Sequence, residues 1–167
     1  MIIADDAEDL FYLRTNDQVM QYVERPRPAN VEEVVKMIHD TALQIERGEL
    51  LMWGISLHST AHMFGTIGFY RMSSAHFRAE IGYMLKPSHG SMGFMSEALS
   101  AVIDFGFDHM KMHSIEADIN PANERSRNIL KKHGFKKKAY FRENYYFEGI
   151  FLDSEIYGLL KSEWQNR

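Results

Sequence analysis

Between Ile81 and Ala98 the chain reads Ile-Gly-Tyr-Met-Leu-Lys-Pro-Ser-His-Gly-Ser-Met-Gly-Phe-Met-Ser-Glu-Ala. An apolar strand-like run ends at Lys86-Pro87, a glycine-containing loop follows, and an apolar-periodic helix begins. Such a junction aims free backbone N–H groups, and the positive end of a helix dipole of about half an elementary charge, at one point. That arrangement suits a phosphate. The expected donors are the N–H groups of Met92, Gly93, Phe94, Met95 and Ser96, with Ser91 in the same loop. Glu97 lies in the first turn, where it supports the dipole but would repel phosphate, so it is expected to point away. Gly90-Ser91-Met92-Gly93 is neither the dinucleotide pattern G-x-G-x-x-G nor a Walker loop ending in Gly-Lys-Ser/Thr. A glycine turn that merely joins a strand to a helix fits the same residues.

Proton transfer would need a carboxylate, a tyrosine, a serine or water at the right place. Glu80, Asp118 and Glu143 are carboxylates on strands near the loop or downstream of it. Each also fits a structural role. The eight histidines are scattered, and only His58 and His62 stand four apart, within an expected turn, so no metal site is expected. His89 lies in the loop and reads as a surface residue. Cysteine is absent, which excludes a disulfide framework, a thiolate metal site and a cysteine nucleophile.

The elements that must position these groups follow from periodicity and punctuation. Asp5 and Asp6 cap a helix carrying Ala7, Leu10, Phe11 and Leu13, after a possible strand remnant at Met1 to Ile3. Asn16 opens a short second helix that Pro26-Arg27-Pro28 breaks. Asn30 with Glu33 starts a third, with a stripe of Val31, Val34, Val35, Ile38, Ala42 and Ile45 closing at Gly48. Strands are expected over residues 51–57, 63–71 and 77–85, then a helix over 95–110, a strand over 114–119 and an Asn123-capped helix ending at His133-Gly134. Two long strands, 135–147 and 150–160, finish the chain. Short connections favour an antiparallel meander, and the helix at 95–110 makes the next connection a right-handed crossover. The fold class is therefore mixed α+β.

At 167 residues the chain has the size of a single domain spanning 1–167. Its 45% hydrophobic and 25% charged residues are those of a water-soluble protein. No apolar run approaches a membrane span and no signal peptide is visible, so a cytoplasmic location without membrane contact is expected. The net charge of −4 argues against a nucleic-acid-coating protein. Seven Lys/Arg residues between Arg125 and Lys138 form a local basic run that most simply faces solvent.

Several pieces in order then resemble a known family. They are Ala79-Glu80-Ile81-Gly82-Tyr83, Gly93 to Ala98, Asn123-x-x-Ser126, Gly134-Phe135, Arg142-Glu143-Asn144, Gly149, Asp153, Tyr157 and Leu159-Leu160. Together they resemble the GNAT superfamily of acetyl-CoA-dependent N-acetyltransferases, in the branch of the ribosomal-protein alanine acetyltransferases of RimJ/RimL type. The resemblance implies a central, mostly antiparallel twisted sheet with helices on both faces, its first strand here short or absent. It implies acetyl-CoA as co-substrate, no metal, and direct attack of an amine on the thioester in a ternary complex. It assigns pantetheine contacts to the Met84 and Leu85 backbone and to Asn123, places Ser126 beside the CoA sulfur, and puts Tyr145 where one relative has a glutamate base. Glu80 on the strand beside the cleft, Asp118 at the end of the crossover strand and Glu143 are the alternative bases, and a water chain without a dedicated base serves equally.

The loop departs from the family pattern: Gly90 replaces the usual arginine or glutamine and Met95 the final small residue, so only Gly93 matches. Phosphate binding would then rest on the backbone alone. The expected acceptor is a protein N-terminal α-amine, about a tenth neutral at pH 7, whereas a lysine amine is neutral in fewer than about one molecule in a thousand. A small amine (polyamine, amino-acid-like compound or aminoglycoside) and a non-catalytic acyl-CoA-binding module are the competing readings. The basic run could then neutralise the CoA 3′-phosphate or face ribosomal RNA. The expected state is monomer or homodimer.

Overall fold

The computed structural model describes residues 1–60 and 62–165. Its centre is a six-stranded sheet in the order β1-β2-β3-β4-β6-β5, made of β1 (Leu51–Ser56), β2 (Met63–Ser73), β3 (Arg78–Leu85), β4 (Ser114–Ile119), β5 (Lys136–Phe147) and β6 (Ile150–Leu160). Only β3 and β4 run parallel; every other neighbouring pair is antiparallel. The strand over 114–119 and the last strand have the ends expected from the sequence.

The capping read from the sequence is present at Asn16 and Asn30 but not at Asp5 and Asp6. Helix α1 (Ala7–Thr15) begins without a side-chain cap, and Asp6 Oδ2 instead accepts from the Ile3 N–H at 2.9 Å ahead of it. Asn16 accepts from Gln18 and Val19 to open α2 (Asp17–Met20). Asn30 accepts from the Glu33 N–H at the start of α3 (Val31–Glu46), while Glu33 reaches back to the Ala29 N–H rather than to Asn30 itself. Met1 to Ile3 belong to no strand.

Two hydrophobic clusters lie on opposite faces of the sheet. Ala7, Leu10, Leu13, Val34, Ile38 and Met63 join α1 and α3 to one face. On the other face α4 (Phe94–Asp104) and α5 (Glu124–Lys132) supply Leu99, Ile103 and Leu130 against Phe69, Ile115 and Leu159. β2 serves both clusters because it bulges. Ile55 and Ser56 of β1 pair with Gly65 and Met63, leaving Phe64 as the extra residue. A bulge reverses which face the following side chains take. Met63 therefore meets α1, whereas Ile67 and Phe69 meet α4.

Two expectations about the helices change. The helix predicted over 95–110 is α-helical only to Asp104, and Phe105–His109 continue as one wide π turn. There Gly106 lies so close to the sheet that a Cβ would meet the Phe69 ring at 2.8 Å, and Phe105 turns out towards solvent. The α3 stripe is also only partly buried: Val34 and Ile38 are in the core, but Val35 and Ala42 are exposed. Helix α3 overhangs an open cleft instead of lying flat, and its Met37, Thr41 and Gln44 line that cleft.

Candidate active site

The site begins where the sheet comes apart. Along its β2 side, β3 is paired as far as Leu85 opposite Gly65. Along its β4 side pairing covers only Arg78–Glu80 opposite Ser114–Glu116, although β3 continues to Leu85 and β4 to Ile119. Residues 81–85 thus present one edge of backbone N–H and C=O groups with no strand partner. Unpaired backbone groups need another partner when buried. Met84 and Leu85 lie on this edge, where an extended chain with amide groups could pair with them.

At the end of β3 the chain passes through a 3-10 turn (Pro87–His89) into the loop. Ser91 has φ +62° and Gly93 φ +90°, both left-handed. Gly93 is the N-cap of α4 and gives it no side-chain cap. The first-turn N–H groups of Phe94, Met95 and Ser96 therefore keep no capping acceptor of their own. Met92 and Glu97 are exposed, and the Met95 side chain is buried in the core. His89 is not a plain surface residue: its ring stacks on Phe64 at 4.3 Å between centroids and packs near Phe94. Buried His133 ties the end of α5 to this turn, its Nδ1 2.8 Å from the Ile129 carbonyl and its Nε2 3.0 Å from that of Ser96.

Asn123 and Ser126 stand across the gap. Asn123 Oδ1 accepts from the Ser126 N–H at 3.0 Å, so it caps α5, and the amide NH2 has no intramolecular hydrogen bond. Ser126 is buried, and its Oγ lies 2.7 Å from the Tyr83 hydroxyl. Burial pushes the Tyr83 pKa well above the usual phenol value, with the Ser126 hydrogen bond pulling weakly the other way. Tyr83 thus stays a neutral phenol. Sequence reasoning quoted Tyr83 only as part of a motif; its position on the gap side of β3 was the one signal it offered.

A cleft of about 600 Å³ runs from this gap beneath α1 and α3 and is lined by Glu80, Asp118, Asn123, Ser126 and Tyr145. Two of these are already engaged. Glu80 accepts two hydrogen bonds from Arg71, at 2.9 and 3.0 Å, and Tyr145 donates its hydroxyl to the Glu24 carbonyl at 2.9 Å. Asp118 lies 3.9 Å from Arg71. Its pKa is raised, first by burial and then by Glu80, against the opposing Arg71 charge. Glu143 is elsewhere: its N–H donates to Asp153 in the irregular stretch of β5, and it does not line the cleft. A second hollow of about 310 Å³ shares Glu80 and Asp118 with the first and continues over Ala139, Phe141 and Ile156.

Two further pieces escaped the sequence reading. Asp9 of α1 accepts from Lys86 Nζ at 2.6 Å and the Met63 N–H at 2.9 Å, pinning α1 to the start of the loop. Burial alone would raise the Asp9 pKa; Lys86 and the Met63 N–H outweigh it and hold it below the usual range. The basic run is partly spent internally, Arg127 and Lys137 on buried Glu155 and Lys136 on Glu163. Among the described residues no cluster of three His, Asp or Glu is placed to hold a metal ion.

Comparison with known proteins gives the family of this fold. The acetyltransferase (GNAT) domain family matches residues 2–136. The N-acetyltransferase YoaA of Bacillus subtilis is 34% identical over 160 residues, covering 96% of this chain and 90% of that protein. The ribosomal protein uS5-alanine N-acetyltransferase of Escherichia coli is 26% identical over 120 residues, 71% of this chain and 62% of that protein. The structure of RimL, a ribosomal L7/L12 α-N-protein acetyltransferase in complex with coenzyme A, superposes with a TM-score of 0.86 at 20% identity, over 95% of this chain and 90% of that one. The mixed fold with its mostly antiparallel sheet is thus the GNAT fold, and the chain belongs to the GNAT family of acetyl-CoA-using N-acetyltransferases.

Proposed function

We propose that residues 1–167 act as one cytoplasmic GNAT domain that acetylates a protein N-terminal α-amine. The observation that carries the acceptor reading is the form of the cleft: about 600 Å³ at the gap, continued along the uncovered sheet face by a second hollow sharing Glu80 and Asp118. That path has room for an extended chain end, more than a small amine needs. Among the described residues no helix is long and apolar enough to cross a membrane, which is consistent with this location.

The residues present fit acetyl-CoA. The free β3 edge at Met84 and Leu85 and the Asn123 amide would take the pantetheine amides. Ser91, Met92, Gly93, Phe94, Met95 and Ser96 would take the pyrophosphate through their N–H groups, compensating for the missing side chain at Gly90. In the reaction the neutral amine nitrogen attacks the thioester carbonyl carbon, the C–S bond breaks, the departing sulfur takes a proton, and the nitrogen gives up its surplus proton to water in the cleft. Ser126 is the donor; the Tyr83 hydroxyl at 2.7 Å replaces its proton and regains its own from that water. Glu80, hydrogen-bonded to Arg71, and Asp118 favour an approaching cationic amine, which loses its proton to water on that side of the cleft. Tyr145, donating to the Glu24 carbonyl, ties the segment between α2 and α3 to β5 at the wall of the cleft.

The test is release of free CoA thiol from acetyl-CoA on a panel of peptides with free N-termini, polyamines and aminoglycosides. Turnover with peptides above the small amines is expected. Preference for spermidine or an aminoglycoside would replace the acceptor class. CoA binding with no turnover on any acceptor would leave a binding module.

A further inference from the structure

The end of the cleft beneath α1 holds two arginines, Arg14 and the exposed Arg25, and is incompletely paired. Among the described residues just two buried side-chain polar atoms lack a hydrogen-bond partner, Arg14 Nε and Thr66 Oγ1, and both residues line this cleft. Thr66 is 1% exposed. It shares with Tyr70 the face of β2 turned towards α1 and α3. Arg14 gives one guanidinium nitrogen to the Pro26 carbonyl at 3.0 Å. Arg25 stacks over the Tyr70 ring at 5.8 Å. Among the described residues neither arginine has a carboxylate within ion-pairing distance, although Glu24 and Glu49 also line the cleft; Glu24 is held by Asn120 at 2.8 Å. Burial, and then the Arg25 charge, lower the Arg14 pKa, as expected for two cations brought together with no anion between them. The Tyr70 hydroxyl meets only the Met52 sulfur, a weak acceptor, at 3.4 Å.

Two arginines, an unpartnered hydroxyl and a neutral phenol make a site for an anion. Thr66 and Tyr70 pair with Met84 and Glu80 of β3, so this site is one to two strand spacings, roughly 5–10 Å, from the open β3 edge. We infer that the acceptor carries a carboxylate within a few bonds of its reacting amine, received by Arg14, Arg25 and Thr66. The inference rests on the acetyl-transfer reading and narrows its acceptor to one that is both amine and acid. Two sources share that chemistry: an acidic side chain beside the N-terminus of a polypeptide, or the α-carboxylate of a free amino acid. Polyamines, purely cationic, are disfavoured by the same two arginines.

The experiment compares kcat/KM for two matched pairs: peptides differing only in Glu or Gln at the second position, and alanine against alaninamide. Each pair is run with the wild type, Arg25→Gln and Arg25→Lys. The readout is the acid-to-amide ratio relative to wild type, which cancels differences in amine basicity. The ratio is expected to fall about tenfold or more in Arg25→Gln for at least one pair, and to recover in part in Arg25→Lys. A fall confined to the peptide pair assigns the carboxylate to a polypeptide side chain; a fall confined to the alanine pair assigns it to a free amino acid. Turnover with ratios unmoved by Arg25→Gln, or a preference for spermidine over both acids, overturns the inference and leaves acetyl transfer standing. Absence of thiol release with every amine overturns the acetyl-transfer reading, and this inference with it.

Discussion

The two sides of the site are built by different means. On the proposed cofactor side the groups are main chain: the unpaired edge of β3 and the first-turn amides of α4 beyond Gly93. On the proposed acceptor side they are side chains drawn from distant parts of the sequence: Arg14, Arg25, Thr66, Glu80 and Asp118. A backbone site tolerates changes of residue type as long as the dihedral angles persist, and on the proposed reading this is how the loop does without the customary arginine or glutamine at Gly90. A side-chain site changes specificity with single substitutions. The first side should therefore fail through geometry and the second through charge.

The largest effect is expected where the two sides meet. Ser126→Ala should lower kcat by about a hundredfold while acetyl-CoA affinity changes little, because proton delivery to the leaving sulfur acts in the transition state. Tyr83→Phe should lower kcat in the same sense but less, since Ser126 keeps its own proton. Equal losses in kcat and acetyl-CoA binding would show that the Ser126–Tyr83 pair is structural.

Next comes the loop. At Gly93 a Cβ meets nothing within 4 Å, so Gly93→Val is a test of dihedral strain at φ +90° and not of a clash. Strain of about 1–2 kcal/mol should be relieved by rotating the loop amides away from the phosphates. Calorimetry should show CoA binding weakened about tenfold, with a comparatively small fall in Tm. Unchanged affinity would remove the loop from the binding site.

Two carboxylates sharpen the contrast through pH. Asp9 is held below its ordinary range, so its ionisation favours the folded state. That stability is complete above the unfolded value near ~3.9 and is lost as pH falls through the lower folded value. Asp9→Asn should cost about 1–3 kcal/mol at neutral pH, where it strips a partner from Lys86, and little at pH ~2. Asp118 is the reverse case, its folded value raised by burial and Glu80. The stability tied to its proton is present below about 3.9 and lost as pH rises through the raised folded value. Asp118→Asn should therefore give a slightly higher Tm at neutral pH and none of that gain at pH ~3. Thermal melts of both variants at the two pH values check the opposite signs.

Much of the scaffold was legible in the sequence because it is specified locally. Asn16, Asn30 and Asn123 each accept from an N–H two or three residues on, as their types and spacing required. Glycine at positions 48, 93 and 134 marks left-handed turns at helix ends. The glycine loop itself was found in the sequence, and its free amides follow from helix geometry. The π turn after Asp104 was not legible, since it coincides with Gly106 approaching Phe69, thirty-seven positions earlier in the chain. Glu80 and Tyr145 were singled out in the sequence and both line the cleft, but their engagement with Arg71 and Glu24 was not visible, because neither partner is fixed by local periodicity.

The sequence by itself determined the family, the order of elements, the asparagine caps and the glycine loop that opens α4, all carried by interactions within a few residues or by motifs in register. Only the tertiary structure decided where β3 parts from β4, which joins Tyr83 to Ser126, forty-three residues apart. It also decided which charges are paired and which are not. Arg71 is spent on Glu80, while Arg14 and Arg25 converge beneath α1 without an anion. Pairing between distant charges depends on which strands lie side by side and which face a bulge at Phe64 turns inward, and no local pattern of residues records either.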